Sequence, residues 1–298
     1  MVRVIASVLG ENATVTLLSV APDQVGSREV AEIWKFVCSH EVRSGWGAGC
    51  RSAAGSGCCR TRRSPAGSAG QLDLGIAMTW NLHWLEASGD LRPWRETIIA
   101  EVEIARQAIA GLMPPTNLDI LIERQPGAVI PETGTTGRAY RGNLFSISLD
   151  PDNPNFARSL SDGDLRRTVA HEAHHCMRMA GPGYGWTLGE ALVSEGLAGQ
   201  FVSRLFGSPP EPWECAVTDE VIAANLPDNA TLIGNGHDHR VWFFGFKGER
   251  PRWLGYTLGY RIAGDWLNAQ AKVDGVTWVN VPAHEVIKAA CGRTLSNL

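Results

Sequence analysis

Nowhere in its 298 residues does the chain hold an apolar run of the roughly 18 residues that a bilayer-spanning helix requires. No membrane span is therefore expected. Positive charge is not in excess either: 27 Lys and Arg stand against 31 Asp and Glu, the net charge is −4 and the pI about 6.1. Nucleic acid and anionic membrane, which select a basic stripe, are not expected partners. The stretch from Met1 to Val20 is broken by Arg3, Glu11 and Asn12. It lacks the charged, apolar and cleavage-site order of a secretory signal, so a cytoplasmic location is expected. The seven cysteines, Cys38, Cys50, Cys58, Cys59, Cys176, Cys215 and Cys291, are odd in number and contain no CxxC pair. Without a signal, a chain of this size is not expected to rest on disulfides, and the thiols read as reduced. Internal repeats are also absent.

Hydrophobic residues make up 44% of the chain and charged residues 19%, enough to bury a sizeable core. Composition changes near residue 70. Ser39 to Gly70 is crowded with Gly, Ser, Arg and Cys and has few apolar anchors. Such a stretch cannot offset its ordering entropy, so loop or disorder is expected. His40 and the cysteines there match no metal-ligand spacing. Residues 1–75 accordingly read as an N-terminal extension and residues 76–298 as the working domain.

Beyond Leu91 the patterns sharpen. Pro93 to Leu112 predicts a helix, with Ile98, Val102, Ala105 and Ile109 at helical spacing and Gly111 and Pro114 as stops. Leu118 to Glu123 predicts a short strand. Asn143 to Leu149 alternates, with Phe145, Ile147 and Leu149 on one face and Ser146 and Ser148 on the other, as a half-buried strand does. A helix follows, with Ser161 as its cap and Gly181-Pro182 as its end. The next helix opens on the Thr187–Glu190 capping box and closes at Gly207. A third is expected from about Trp253 to Ala271. Trp213 to Lys247 is mixed in pattern.

The first of these three helices carries His171-Glu172-Ala173-His174-His175. Residues four apart share a helix face, so His171 and His175 project their imidazoles side by side and can chelate one Zn²⁺. Glu172 lies beside them, placed to take a proton from a water at the metal. With eight histidines in the chain, a chance HExxH is expected on the order of once per hundred such chains. His174 lies roughly 60–100° round the helix, off the shared face; it reads as a residue behind the ligands or partly exposed. A tetrahedral catalytic site needs a third protein ligand. Glu195 falls on the apolar face of the next helix with Leu188, Ala191, Leu192, Ala198 and Val202, where a carboxylate is costly unless paired or metal-bound. Glu190 points the other way and caps. Glu195 is therefore the expected ligand, with a salt bridge to an unseen Arg as its bland alternative.

This order, HExxH followed by a helix with Ser194-Glu195-Gly196-Leu197-Ala198, resembles the gluzincin metallopeptidases, whose third ligand is the Glu of a similar Asn-Glu-Gly-Phe-Ala stretch. It departs at Ser194 and at Gly199, where some gluzincins place an acid that orients a histidine. From about Leu91 to the C-terminus, Leu188 to Ala198 and Gly255-Tyr256-Thr257-Leu258-Gly259-Tyr260 resemble the bacterial predicted zinc-dependent protease family, the YjaZ-like group. The resemblance implies an α+β, zincin-like fold: a small sheet packed on the active-site helix, with a mainly helical C-terminal part. It also implies a peptide or protein substrate and a peptidase activity.

Tyr256 and Tyr260, four apart on the third helix, are candidate donors to a tetrahedral oxyanion, a task for which gluzincins often use a Tyr or His. Ala263 and Leu267 continue their face, so both also fit a core role. His237-Asp238-His239 follows Asn235-Gly236 and reads as a surface turn, with contact to substrate as its other use. His83 and His284 carry no partner pattern, and Cys176 falls on the core face near Leu165 and Val169. The strand from Asn143 fits an ordinary sheet strand or an edge that pairs with substrate backbone. The reading that joins these is zinc-dependent peptide-bond hydrolysis with Glu172 as general base. Its rival is a non-catalytic zinc-binding module, for which Glu172 is superfluous.

Overall fold

The computed structural model describes residues 6–9, 12–15, 79–290 and 295. The chain divides into two compact units, residues 1–71 and 72–298. Within the first, strands β1 (Ala6–Leu9) and β2 (Asn12–Val15) pair antiparallel, Ala6 opposite Val15 and Leu9 opposite Asn12. The stretch 39–70, expected as loop or disorder, lies outside the described residues, as do five of the seven cysteines.

In the second unit the predicted periodicities become elements. Strand β3 (Trp80–Leu85) precedes helix α1 (Arg95–Leu112), whose Ile98, Val102, Ala105 and Ile109 are all buried. Strands β4 (Leu118–Arg124), β5 (Thr135–Arg141) and β6 (Leu144–Leu149) complete a mixed sheet of order β3-β4-β6-β5. The first three strands in that order run parallel, and β5 is antiparallel to β6 at one edge. Helices α2 (Phe156–Ser161) and α3 (Asp164–Met179) follow. Ile120 and Ile122 of β4 and Phe145, Ile147 and Leu149 of β6 share one face of the sheet. There they pack with α1 and with Leu165, Val169, Ala173 and Cys176 of α3.

The rest is helical: α4 (Leu188–Phe206), the short α5 (Asp219–Ala223), α6 (Asn229–Ile233) and α7 (His239–Phe244), then α8 (Leu254–Asn268), α9 (Gly275–Asn280) and α10 (Ala283–Ala290). A second core forms among α4, α7, α8 and α10, around Leu192, Leu197, Phe243, Leu258, Ile262 and Val286. Helix α4 joins the two cores, since its Phe201 and Val202 belong to the first. The fold is α+β, and no helix among the described residues is long and apolar enough to cross a membrane.

Two local expectations are corrected. Ser161 does not cap α3. It ends α2, where its hydroxyl donates back to the Ala157 carbonyl. The turn into α3 needs a left-handed residue, and Gly163 at φ +78 supplies it. Strand β6 is not half-exposed. It is interior to the sheet, and Ser146 and Ser148 are only 3% and 6% exposed. Tyr140 and Glu123 from the flanking strands hydrogen-bond their hydroxyls. The Thr187–Glu190 capping box forms as read, and Gly207 ends α4 at φ +62.

Candidate metal centre

Helix α3 holds His171 and His175 one turn apart, and their Nε2 atoms lie 3.0 Å from each other. Helix α4 crosses beside them. Its residue Glu195, 8% exposed on the apolar face, places Oε2 at 3.1 Å from His171 Nε2 and 3.4 Å from His175 Nε2. The close crossing of α4 and α8 depends on glycine: a Cβ on Gly196 would overlap the Gly259 carbonyl, and one on Gly259 the Leu192 carbonyl. Glu190 stays at the helix start, its carboxylate accepting the Trp186 and Thr187 amides at 2.8 and 2.9 Å.

Three electron-rich atoms facing one another need positive charge among them. Burial draws His171 down, but the hydrogen bond and charge of Glu195, with Glu172 and Glu214, carry it up to about 9. Burial raises Glu195, but the two imidazoles outweigh it and hold the carboxyl well below its usual range. The spacing also fits a metal ion. Bonds of about 2.0–2.1 Å at tetrahedral angles set ligand atoms about 3.3 Å apart, and the observed edges are 3.0, 3.1 and 3.4 Å. His171, His175 and Glu195 are the only such group among the described residues.

Groups behind the triad hold it. Tyr184, in the loop between α3 and α4, donates its hydroxyl to Glu195 Oε1 at 2.5 Å. The Tyr184 carbonyl accepts from Ser194 Oγ at 2.7 Å, and Ser194 Oγ accepts from Arg178 Nε of α3 at 3.1 Å. Arg178, 2% exposed, donates its Nη1 to the carbonyls of Val279 and Val281. This one guanidinium ties both ligand helices to the C-terminal segment. His174 is not partly exposed. It is fully buried, and its Nε2 lies 2.9 Å from the Trp278 carbonyl, which only accepts, so that nitrogen carries the proton. His175 Nδ1 is buried with no partner. Its ring is set by edge-on packing against His171 and Tyr184.

Glu172 is buried at 6% exposure, next to the triad, against the edge strand β5. A Cβ on Gly137 would overlap its side chain, so the glycine makes room for the carboxyl. Burial pushes Glu172 up, partly offset by His175 and His171, and the Ala139 backbone hydrogen-bonds it. A cavity of about 780 Å³ opens over these groups. It is lined by the triad, Glu172, Tyr184, Glu214, His239, Tyr256 and residues 136–140 of β5.

Tyr256 is thus brought to the site. Tyr260 is not among the cavity residues; its hydroxyl lies 3.1 Å from Ser203 Oγ on α4. His239 does not sit in a surface turn. Asp238 accepts the Arg240 amide as a helix cap, and α7 begins there. His239 thereby turns inward, stacked on Phe243 at 4.1 Å and lining the cavity. The edge position beside the site belongs to β5, not to β6. His83 pairs with Asp119, His284 is exposed, and Cys176 is buried in the core as expected.

Two residues and one strand escaped the sequence. Tyr184 lies in a connection with no periodicity, where only its place between Gly183 and Gly185 marks it. β5 has no apolar alternation. Glu214 belongs to the turn of 3₁₀ helix Pro212–Glu214, and its carboxyl occupies the space left by Gly199, where a Cβ would overlap it. Burial pushes Glu214 up to about 7. The chain thus places a buried acid beside Gly199 after all, from a different element.

Residues 99–288 match the family described as predicted Zn-dependent protease (DUF2268). A relative in Bacillus subtilis (strain 168), "Uncharacterized protein YjaZ", is 28% identical over 162 residues. That match covers 52% of this chain and 58% of the relative's length. No solved structure matches the chain.

Proposed function

The chain belongs to the predicted Zn-dependent protease family, and from that premise we propose that it is a gluzincin-like zinc metallopeptidase, its working domain spanning residues 76–298. The observation that carries this reading is the convergence of His171 Nε2, His175 Nε2 and Glu195 Oε2 within 3.0–3.4 Å, beside a buried carboxyl that the triad does not need. Zinc bound there would supply a Lewis acid for the scissile carbonyl and lower the pKa of water toward about 7.

The remaining work falls to the protein. Glu172, raised by burial, takes the proton of the attacking water and passes it to the leaving amine. Tyr256, in the same cavity, donates its hydroxyl to the developing oxyanion. Tyr260 is the weaker candidate, because its hydroxyl is engaged with Ser203. The free side of β5 offers backbone groups to an extended peptide, which gives affinity with little sequence demand. A non-catalytic zinc module would have no use for Glu172 buried against Gly137.

The test is metal content with activity. Protein prepared without chelators is expected to hold about one zinc per chain and to cleave unstructured casein. Chelation should abolish cleavage, and added zinc should restore it. Zinc far below one per chain that added zinc does not raise would remove the basis of the reading.

A further inference from the structure

Catalysis as described uses Tyr256 but leaves the rest of its wall of the cavity without a task, and that wall is aromatic. Trp213, Phe244, Trp253 and Tyr256 all line the cavity that holds the triad. They are contiguous: Phe244 and Trp253 lie 5.9 and 5.7 Å from Tyr256, and Trp213 lies 6.2 Å from Trp253, between ring centroids. Tyr256 lines the same cavity as His171, His175 and Glu195, so the wall begins at the triad's own cavity.

Two features distinguish this wall from ordinary core. Phe244 is 41% exposed, so a large apolar ring is left facing open space at the cavity. Trp253 holds φ +69, a conformation that side-chain-bearing residues rarely adopt. Such strain persists only where the surroundings fix it, and it concentrates at ligand sites. Here Trp253 N–H donates to the Phe243 carbonyl at 3.1 Å, and its ring packs edge-on against Phe244. None of the four wall residues carries a charge.

We propose that this wall is a side-chain subsite, and that the preferred peptides carry an aromatic or large aliphatic residue next to the cleaved bond. The inference rests on the peptidase reading. An aromatic side chain buries about 150–250 Å², and flat rings meet it edge-on or offset, as the wall's own rings meet each other.

The experiment uses two peptide series, identical except for the residue on one or the other side of the cleaved bond, set to Ala, Leu, Phe or Trp. Wild type is expected to favour Phe over Ala by roughly 10–200-fold in kcat/KM, the range that hydrophobic pockets achieve. In Phe244→Ala and in Phe244→Ala with Trp213→Ala, that ratio should shrink to within about threefold. The same peptides are titrated against Glu172→Gln, with tryptophan fluorescence reporting binding without cleavage. Cleavage without preference, or a ratio unchanged in Phe244→Ala, overturns the subsite and leaves the peptidase reading intact. No cleavage, but Phe peptides bound above Ala peptides, overturns the peptidase reading and leaves the subsite. Neither cleavage nor selective binding overturns both.

Discussion

The two sides of the cavity are built in different ways. On one side, α3 and α4 carry His171, Glu172, His175 and Glu195 on regular helix faces, with 24 positions between the first candidate ligand and the last. On the other side, Ala139, Tyr184, Glu214, His239 and Tyr256 come from an edge strand, a loop, a single 3₁₀ turn and two further helices. The first side is a matter of register: on two regular helices these side chains fall where the helical step puts them. The second side depends on how loops fold over a framework that is already set. The triad and Glu172 therefore sit on two helices, whereas the groups that face them come from five separate elements, of which two, carrying Tyr184 and Glu214, are connections.

This contrast is open to direct attack. The largest expected effect is at the register-determined ligand. Glu195→Ala should lose bound zinc outright, because it removes one of three protein donors and leaves two imidazoles. Elemental analysis checks it, and a zinc-replete Glu195→Ala would sink the register argument. Tyr184→Phe comes next. It deletes the 2.5 Å bond to Glu195 Oε1 without touching a ligand atom. Zinc affinity, measured by competition with a chelator, should fall about 10–100-fold, the usual effect of removing a group that holds a ligand in place. Unchanged affinity would mean that loops contribute nothing to the centre. The smallest effect is at Glu190. Glu190→Ala breaks the capping box and should cost about 0.5–2 kcal/mol in denaturant unfolding, with zinc retained. Loss of zinc in that variant would exchange the roles of the two carboxylates.

What could be read in advance follows the same division. The burial of Ile98, Val102, Ala105 and Ile109 and the capping box at Thr187 come from local periods and local hydrogen bonds. The choice of Glu195 over Glu190 needed only the 100° step of a helix. Ser161 failed because its hydroxyl is engaged one turn back at the Ala157 carbonyl, and the positive φ of Gly163 opens α3 instead. β6 failed because burial of Ser146 and Ser148 is set by the neighbouring strands, which its own alternation cannot reveal. Glu214 and His239 reach the site through turns whose direction depends on Asp238 as a cap and on the space beside Gly199. Periodicity carries none of that information. Gly137 and Gly196 likewise mark points of close approach that only the assembled structure identifies.

The central claim is that Glu172 does chemistry beside a metal it does not hold, and one paired measurement tests it. Glu172→Gln keeps the size of the side chain and removes the base. Zinc content and the cleavage of unstructured casein are compared in wild type and variant under one preparation. The expected result is equal zinc, near-equal folding stability and a loss of about 10²–10⁴-fold in rate, the contribution of a general base. Equal cleavage by both proteins at equal zinc would contradict the account.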